Sequence, residues 1–280
     1  MKRKLLLAFV SLLFFAQIIS AQEVGWKRSE ESAPEALELF RSTQSINLPT
    51  TETIQKSNLE FEISHRFVPD IKSGSKNLWG FDGPVNMRLA LGYGITDKLF
   101  VTLGRSNLND NVDLWVKWKA LEISNDFLPS VIALRAGSAW NTDVNDIGAR
   151  SNTNQFYGQL IYNTMFHKVF GIGIVPSYLY NSYLLTEEAQ YSFTMGVYLQ
   201  YYASKLLGFM FEWNPTVTGF RKRTNPVSFG FELNTGGHFF KIVLSNSIEL
   251  NPSQFLAGTR QAFNNGEWHI GFNITRLLNF

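Results

Sequence analysis

Residues Glu267–Phe280 read EWHIGFNITRLLNF. Trp268, Ile270, Phe272, Ile274, Leu278 and Phe280 share one parity, while His269, Gly271, Asn273, Thr275 and Asn279 hold the other, interrupted only by Arg276 and Leu277. Successive side chains of a strand point to opposite faces, so this is a strand with one apolar and one polar side. Aromatic residues stand at both ends of its apolar side and one ends the sequence. That is the form expected of the closing strand of a transmembrane β-barrel.

Working back from this strand, the same period of two persists to Leu59. Val85, Met87, Leu89, Leu91, Tyr93 and Ile95 alternate with Asn86, Arg88, Ala90, Gly92 and Gly94, and Tyr191 to Tyr202 alternates as regularly. The predicted strands begin at Leu59, Val85, Leu99, Val112, Val131, Phe156, Val169, Tyr191, Leu206, Val227 and Phe239, and the closing strand makes about twelve. Alternate connections differ in length. Thr96–Lys98, His167–Lys168, Ala203–Lys205 and Thr235–Gly237 are hairpin turns, whereas Val68–Pro84, Asn141–Gln155, Asn181–Gln190, Pro215–Pro226 and Ile248–Gly266 are long. Short turns on one side and long loops on the other characterise outer-membrane barrels, as do aromatic residues such as Tyr180, Tyr191, Tyr201 and Trp213 at strand ends. The predicted fold is all-β, an antiparallel transmembrane barrel over residues 58–280.

The N-terminus agrees with export. Lys2, Arg3 and Lys4 precede an apolar run from Leu5 to Ile19, then the small residues Ser20 and Ala21, so residues 1–21 read as a secretory signal peptide. Residues 22–57 form a pre-barrel segment with a capping box at Ser32–Glu35, followed by a polar, extended stretch; it is read as a periplasmic segment or a lumenal plug. The 25 Lys and Arg include three in the signal, leaving near-neutral charge against 23 Asp and Glu, and nothing suggests nucleic acid as a partner. The absence of cysteine removes disulfides and thiolate chemistry.

Several runs resemble those of a family of Gram-negative outer-membrane β-barrels that is classed as a domain of unknown function. They are Ser45–Asn47, Ile63–Phe67, Asn77–Gly83, Arg88–Asp97, Gly104–Ser106, Gly237-His238, Ser245–Ser247 and Gly271–Arg276. The resemblance implies the fold and an outer-membrane location and carries over no catalytic residue. The implied partners are outer-membrane lipid and lipopolysaccharide, and the barrel-assembly machinery through the C-terminal strand.

The chemistry expected of such a barrel lies in its lumen. Inward parity falls on Glu60, Glu62, Arg66, Arg88, Lys117, Lys119, Arg135, Glu212, Glu232, Lys241, Glu267 and His269. These residues either line a polar path for small solutes or pair with one another to fill a narrow barrel. Balanced signs argue against strong ion selectivity. The alternatives are a sealed docking barrel acting through its outer loops and, less favoured, a lipid-facing hydrolase built on His65, which has outward parity but few outward serines nearby. The four His residues form no His-x-His or His-x-x-x-His pair, so neither a metal nor another cofactor is expected. Arg221-Lys222-Arg223 reads as a solvated or lipid-phosphate-facing loop run, and Gly80–Gly83 as a glycine-rich turn.

Overall fold

A strand in a bilayer needs partners for every backbone N–H and C=O, and only a closed sheet supplies them. The computed structural model describes residues 37–143 and 153–279, and in it the sheet closes. The predicted signal peptide, the capping box at Ser32–Glu35 and Phe280 lie outside the described residues.

The strands are β1 (Leu59–Phe67), β2 (Val85–Thr96), β3 (Leu99–Ser106), β4 (Asn111–Ile123), β5 (Ser130–Asn141), β6 (Asn154–Phe166), β7 (Phe170–Tyr180), β8 (Tyr191–Tyr202), β9 (Leu207–Trp213), β10 (Thr216–Gly219), β11 (Val227–Asn234), β12 (His238–Ser245) and β13 (His269–Leu278). Twelve of them close the barrel, all pairings being antiparallel, and β10 is an extra strand. It continues the line of β9 along β8: Val197 faces Trp213, Thr194 faces Thr216, and Asn214-Pro215 marks the break between them. The seam is β1 against β13, from Leu59 opposite Leu278 to Arg66 opposite Gly271. In the turn between β6 and β7, His167 and Lys168 both take positive φ, as the hairpin-favouring type I′ geometry requires, and Val169 N–H bonds back to Phe166 O at 3.0 Å.

The alternation sorts the side chains. Large apolar residues remain exposed around the outside, among them Leu91, Leu103, Val116, Leu134, Leu160, Leu199, Phe209, Phe229 and Ile242, while the opposite parity is buried and largely polar. An apolar surface that encircles a protein marks contact with lipid. Among the described residues no helix is long and apolar enough to cross a membrane, so the crossings belong to the strands.

A strand spacing of about 4.8 Å and a tilt of about 40° give twelve strands a backbone cylinder about 24 Å across. Inward side chains alone do not fill that width, and two further segments occupy it. Leu37–Ser57 enters from the turn end, folds back on itself through the bridge between Gln44 and Pro49, and leaves beside Gly94, where Ser57 N–H bonds to Gly94 O at 2.8 Å. From the loop end, the β12–β13 connection dips inward: Leu250–Thr259 is buried and carries a short helix, α1 (Pro252–Phe255).

Candidate functional site

The inner wall is organised around the chain segment it surrounds. On one side, β5–β8 present an apolar surface of Val131, Ala133, Ile161, Met165, Val175 and Tyr198, against which Leu39, Phe40 and Leu48 pack. The rest of the wall offers ions and amides, and these meet the segment's backbone. Glu212 on β9 accepts from three successive N–H groups, those of Ile46 (3.2 Å), Asn47 (3.0 Å) and Leu48 (2.9 Å), and from the Asn47 side chain at 3.0 Å. Lys117 on β4 donates to Thr43 O and Thr50 O at 2.9 and 3.0 Å. Lys241 on β12 donates to Ser42 Oγ and Ser45 O, each at 2.8 Å, and to Gln44 O. Charged partners make such bonds stronger than neutral ones, and a buried charge needs several of them.

The segment also contributes ions of its own. Glu52 accepts from Leu39 and Phe40 N–H at 2.9 and 3.1 Å and pairs with Lys119 at 3.2 Å. Thr43 donates to Glu60 at 2.9 Å, and Ser42 to Glu232 at 3.0 Å. Arg66 and Asn273 reach the apex, bonding Asn47 Oδ1 at 3.1 Å and Ile46 O at 2.8 Å. Inward parity flags these wall positions, but it does not reveal that their partner is the segment. Asn163 and Tyr198 are absent from the predicted set although both hold the segment: Asn163 Oδ1 accepts from Thr51 N–H at 2.8 Å, and the Tyr198 hydroxyl donates to Pro49 O at 3.2 Å.

Beyond the segment, the wall pairs with itself. Arg88 reaches Glu62 at 3.1 Å and clasps Asp113 through two nitrogens at 2.9 and 3.2 Å. It does so across Gly104 of the intervening strand, where an added Cβ would lie 2.3 Å from the guanidinium. Arg135 lies over the Trp115 ring at 3.9 Å and donates to Gln159 at 3.2 Å. The structure thus brings together Glu60, Glu62, Arg66, Arg88, Lys117, Lys119, Arg135, Glu212, Glu232 and Lys241 as buried residues of the inner wall, and places His269 near the loop end against Phe67 O at 3.1 Å.

Glu267 departs from the expected inner position. β13 begins two residues later, and Glu267 instead accepts from Ala262 N–H at 2.6 Å within its own loop and pairs with Arg223 of the β10–β11 loop at 3.4 Å. The basic run is similarly engaged, since Lys222 pairs with Glu249 at 2.9 Å. His65 stacks on Phe272 at 4.6 Å on the outer face, and its neighbour Ser64 turns inward to Glu62 at 2.5 Å. Among the described residues no group of three or more His, Asp or Glu is placed to hold a metal.

The inward loop depends on one of these ion pairs. Burial alone would raise the Glu249 carboxyl, but the Lys222 ammonium and the Ser247 hydroxyl, at 2.9 and 2.8 Å, hold it below its ordinary value of 4.5. A carboxyl lowered in the folded state adds stability above the unfolded pKa, and that stability is lost as pH falls through the folded value. Hydrogen exchange in Leu250–Thr259, corrected for intrinsic rates, is expected to accelerate as pH drops below about 4.5, and Glu249→Gln should flatten this dependence. An unchanged pH profile in the variant would remove Glu249 as the cause.

A closed antiparallel barrel with an apolar exterior and a polar interior defines an outer-membrane β-barrel. The chain belongs to the membrane-bound β-barrel domain family DUF5777, whose profile matches residues 40–278. Among solved structures it is similar to the NanC porin, at 10% identity over 79% of this chain and 100% of that one with a TM-score of 0.48. It is also similar to the Omp33 outer-membrane protein of Acinetobacter baumannii, at 10% identity over 79% of this chain and 98% of that one with a TM-score of 0.41. No curated protein matches the chain significantly in sequence.

Proposed function

We propose that the protein is an outer-membrane channel barrel shut in its resting state by Leu37–Ser57, and that small polar solutes pass along the inner wall when this segment withdraws. The observation that carries this reading is the way Glu212, Lys117 and Lys241 spend their charge on the segment's main chain. Those bonds are polar and exchangeable with water. Once vacated, the wall would present Glu60, Glu62, Arg66, Arg88, Lys117, Lys119, Arg135, Glu212, Glu232 and Lys241 to solvent, a lining of mixed sign suited to polar solutes. Assembly through β13 by the barrel-assembly machinery, with outer-membrane lipid and lipopolysaccharide around the barrel, belongs to the same reading. No catalytic residue is assigned, because Ser64 faces the lumen and leaves His65 without an adjacent outward hydroxyl.

A second reading, a sealed docking barrel, draws support from the inward loop, which is buried at the opposite end. Planar-bilayer recordings separate the two. The full chain is expected to be silent, deletion of Glu23–Ser57 to give brief steps, and deletion combined with a Gly/Ser replacement of Leu250–Thr259 to give sustained conductance. If the folded double variant stays silent, the channel reading fails and the sealed barrel stands.

A further inference from the structure

The loop end contains a cavity that the lumenal contacts leave unused. Its volume is about 550 Å³, within the range of about 300–1,000 Å³ common for small-molecule sites. Its walls come from the β3–β4, β5–β6 and β7–β8 connections, the residues after β10 and the inward β12–β13 loop that carries α1.

Three features give the cavity the chemistry of a ligand site. Ser182, Ser253 and Gln254 line it and are 4%, 0% and 6% exposed, yet each has a side-chain oxygen with no hydrogen-bond partner among the described residues. Buried polar groups are ordinarily satisfied, so these represent unspent hydrogen-bonding capacity in the wall. Tyr183 and Phe220, also in the lining, stack on one another with ring centroids 4.5 Å apart and an interplanar angle of 16°, so each ring fixes the other and one outer ring face serves as an aromatic platform. Finally, Lys222, Arg223 and Arg260 outnumber the single lining carboxylate, Asp143. Glu249 engages Lys222 and Glu267 engages Arg223, whereas Arg260 is exposed and forms no ion pair among the described residues.

We propose that this cavity binds a small acidic sugar. The aromatic platform packs against the C–H face of the ring, Asp143 and the unsatisfied polar groups take the hydroxyls, and the Arg260 guanidinium takes the carboxylate as a planar fork. A simple anion would use only the arginine, and a neutral sugar would leave it unused. The ligand would rest on α1, the short helix of the inward loop. Binding of this kind does not require the barrel to conduct.

Calorimetry on the purified full chain in detergent micelles, with glucuronate, glucose and acetate as probes, tests the assignment. Glucuronate is expected to bind saturably and about tenfold more tightly than either of the others. Arg260→Ala, at an exposed position, should reduce glucuronate to the level of glucose, while Ser253→Ala should weaken both sugars. Absence of glucuronate binding, equal affinity for glucose, equal affinity for acetate, or an Arg260→Ala variant that binds like wild type would each overturn the proposal. Glucuronate binding by the full chain together with a folded double variant that stays silent would refute the channel reading and leave this one intact; conductance by the double variant with no glucuronate binding by the full chain would do the opposite.

Discussion

Glu212→Leu is expected to free Ile46–Leu48 from the wall. Three N–H groups would lose their shared acceptor within a buried environment. Each unsatisfied buried donor costs about 1–3 kcal/mol, so the inserted state should lose several kcal/mol relative to one in which water reaches these groups. Leucine preserves the apolar volume of the glutamate stem, which leaves the barrel's own strand pairing intact. Hydrogen exchange in the segment should rise by orders of magnitude while exchange in β1–β13 stays slow, and openings should appear in bilayer recordings. Glu212→Gln retains one acceptor oxygen and should fall between Leu and wild type. Equal protection of Ile46–Leu48 in all three proteins would show that the carboxylate does not hold the segment.

Gly173→Val is expected to have an effect of similar size by a steric route. Gly173 lies directly opposite Tyr198 across β7 and β8, and a Cβ at Gly173 would lie 2.0 Å from the ring. The ring is fully buried, packs edge-on against Phe40 at 5.5 Å, accepts from Asn163 and donates to Pro49 O. It has nowhere to move without disturbing the segment. Overpacking a well-filled interior costs about 1–3 kcal/mol, and loss of the Pro49 and Asn163 bonds adds to it. Lower thermal stability together with faster proteolysis within Leu37–Ser57 is the expected result. A variant with wild-type melting and wild-type proteolysis would mean that the ring is free to swing aside. Adding Tyr198→Ala to Gly173→Val removes the ring and with it the clash, and should restore the barrel's melting but not the protection of the segment.

These two residues mark the boundary of what the sequence discloses. Period-two alternation and the difference between turns and loops place every wall strand, because one face meets lipid and the other does not. The same parity turns Glu212 inward, but parity is indifferent to whether an inward carboxylate meets water, a lysine or a peptide N–H. The signal that was available lies in the segment itself. Ile46, Leu48 and Ile54 are apolar residues of one parity in a stretch otherwise polar enough to be a solvated tether, and all three are buried.

The inward loop carried a similar signal, since Leu250 and Phe255–Ala257 form an apolar cluster unsuited to a solvated connection and Pro252 stands at the helix start. Glu267 lies outside the inner wall for a simpler reason. Alternation extends past the point where hydrogen bonding stops, and the carboxylate instead closes the turn at Ala262. No sequence pattern marks the cavity, because its groups come from five connections that are distant in sequence.

The hairpin course of Leu37–Ser57 has a mechanical consequence. Both of its ends lie at the turn end of the barrel, and its apex at Asn47 reaches Arg66 near the other. Tension applied at Leu37 would therefore load the contacts in series: first the bond to Glu122, then those around Glu52, then Lys241 and finally Glu212. A hairpin extracted this way peels rather than shears, so the force needed is set by the strongest single attachment and not by their sum. The segment can therefore be held firmly against thermal fluctuation and still yield to a modest directional pull.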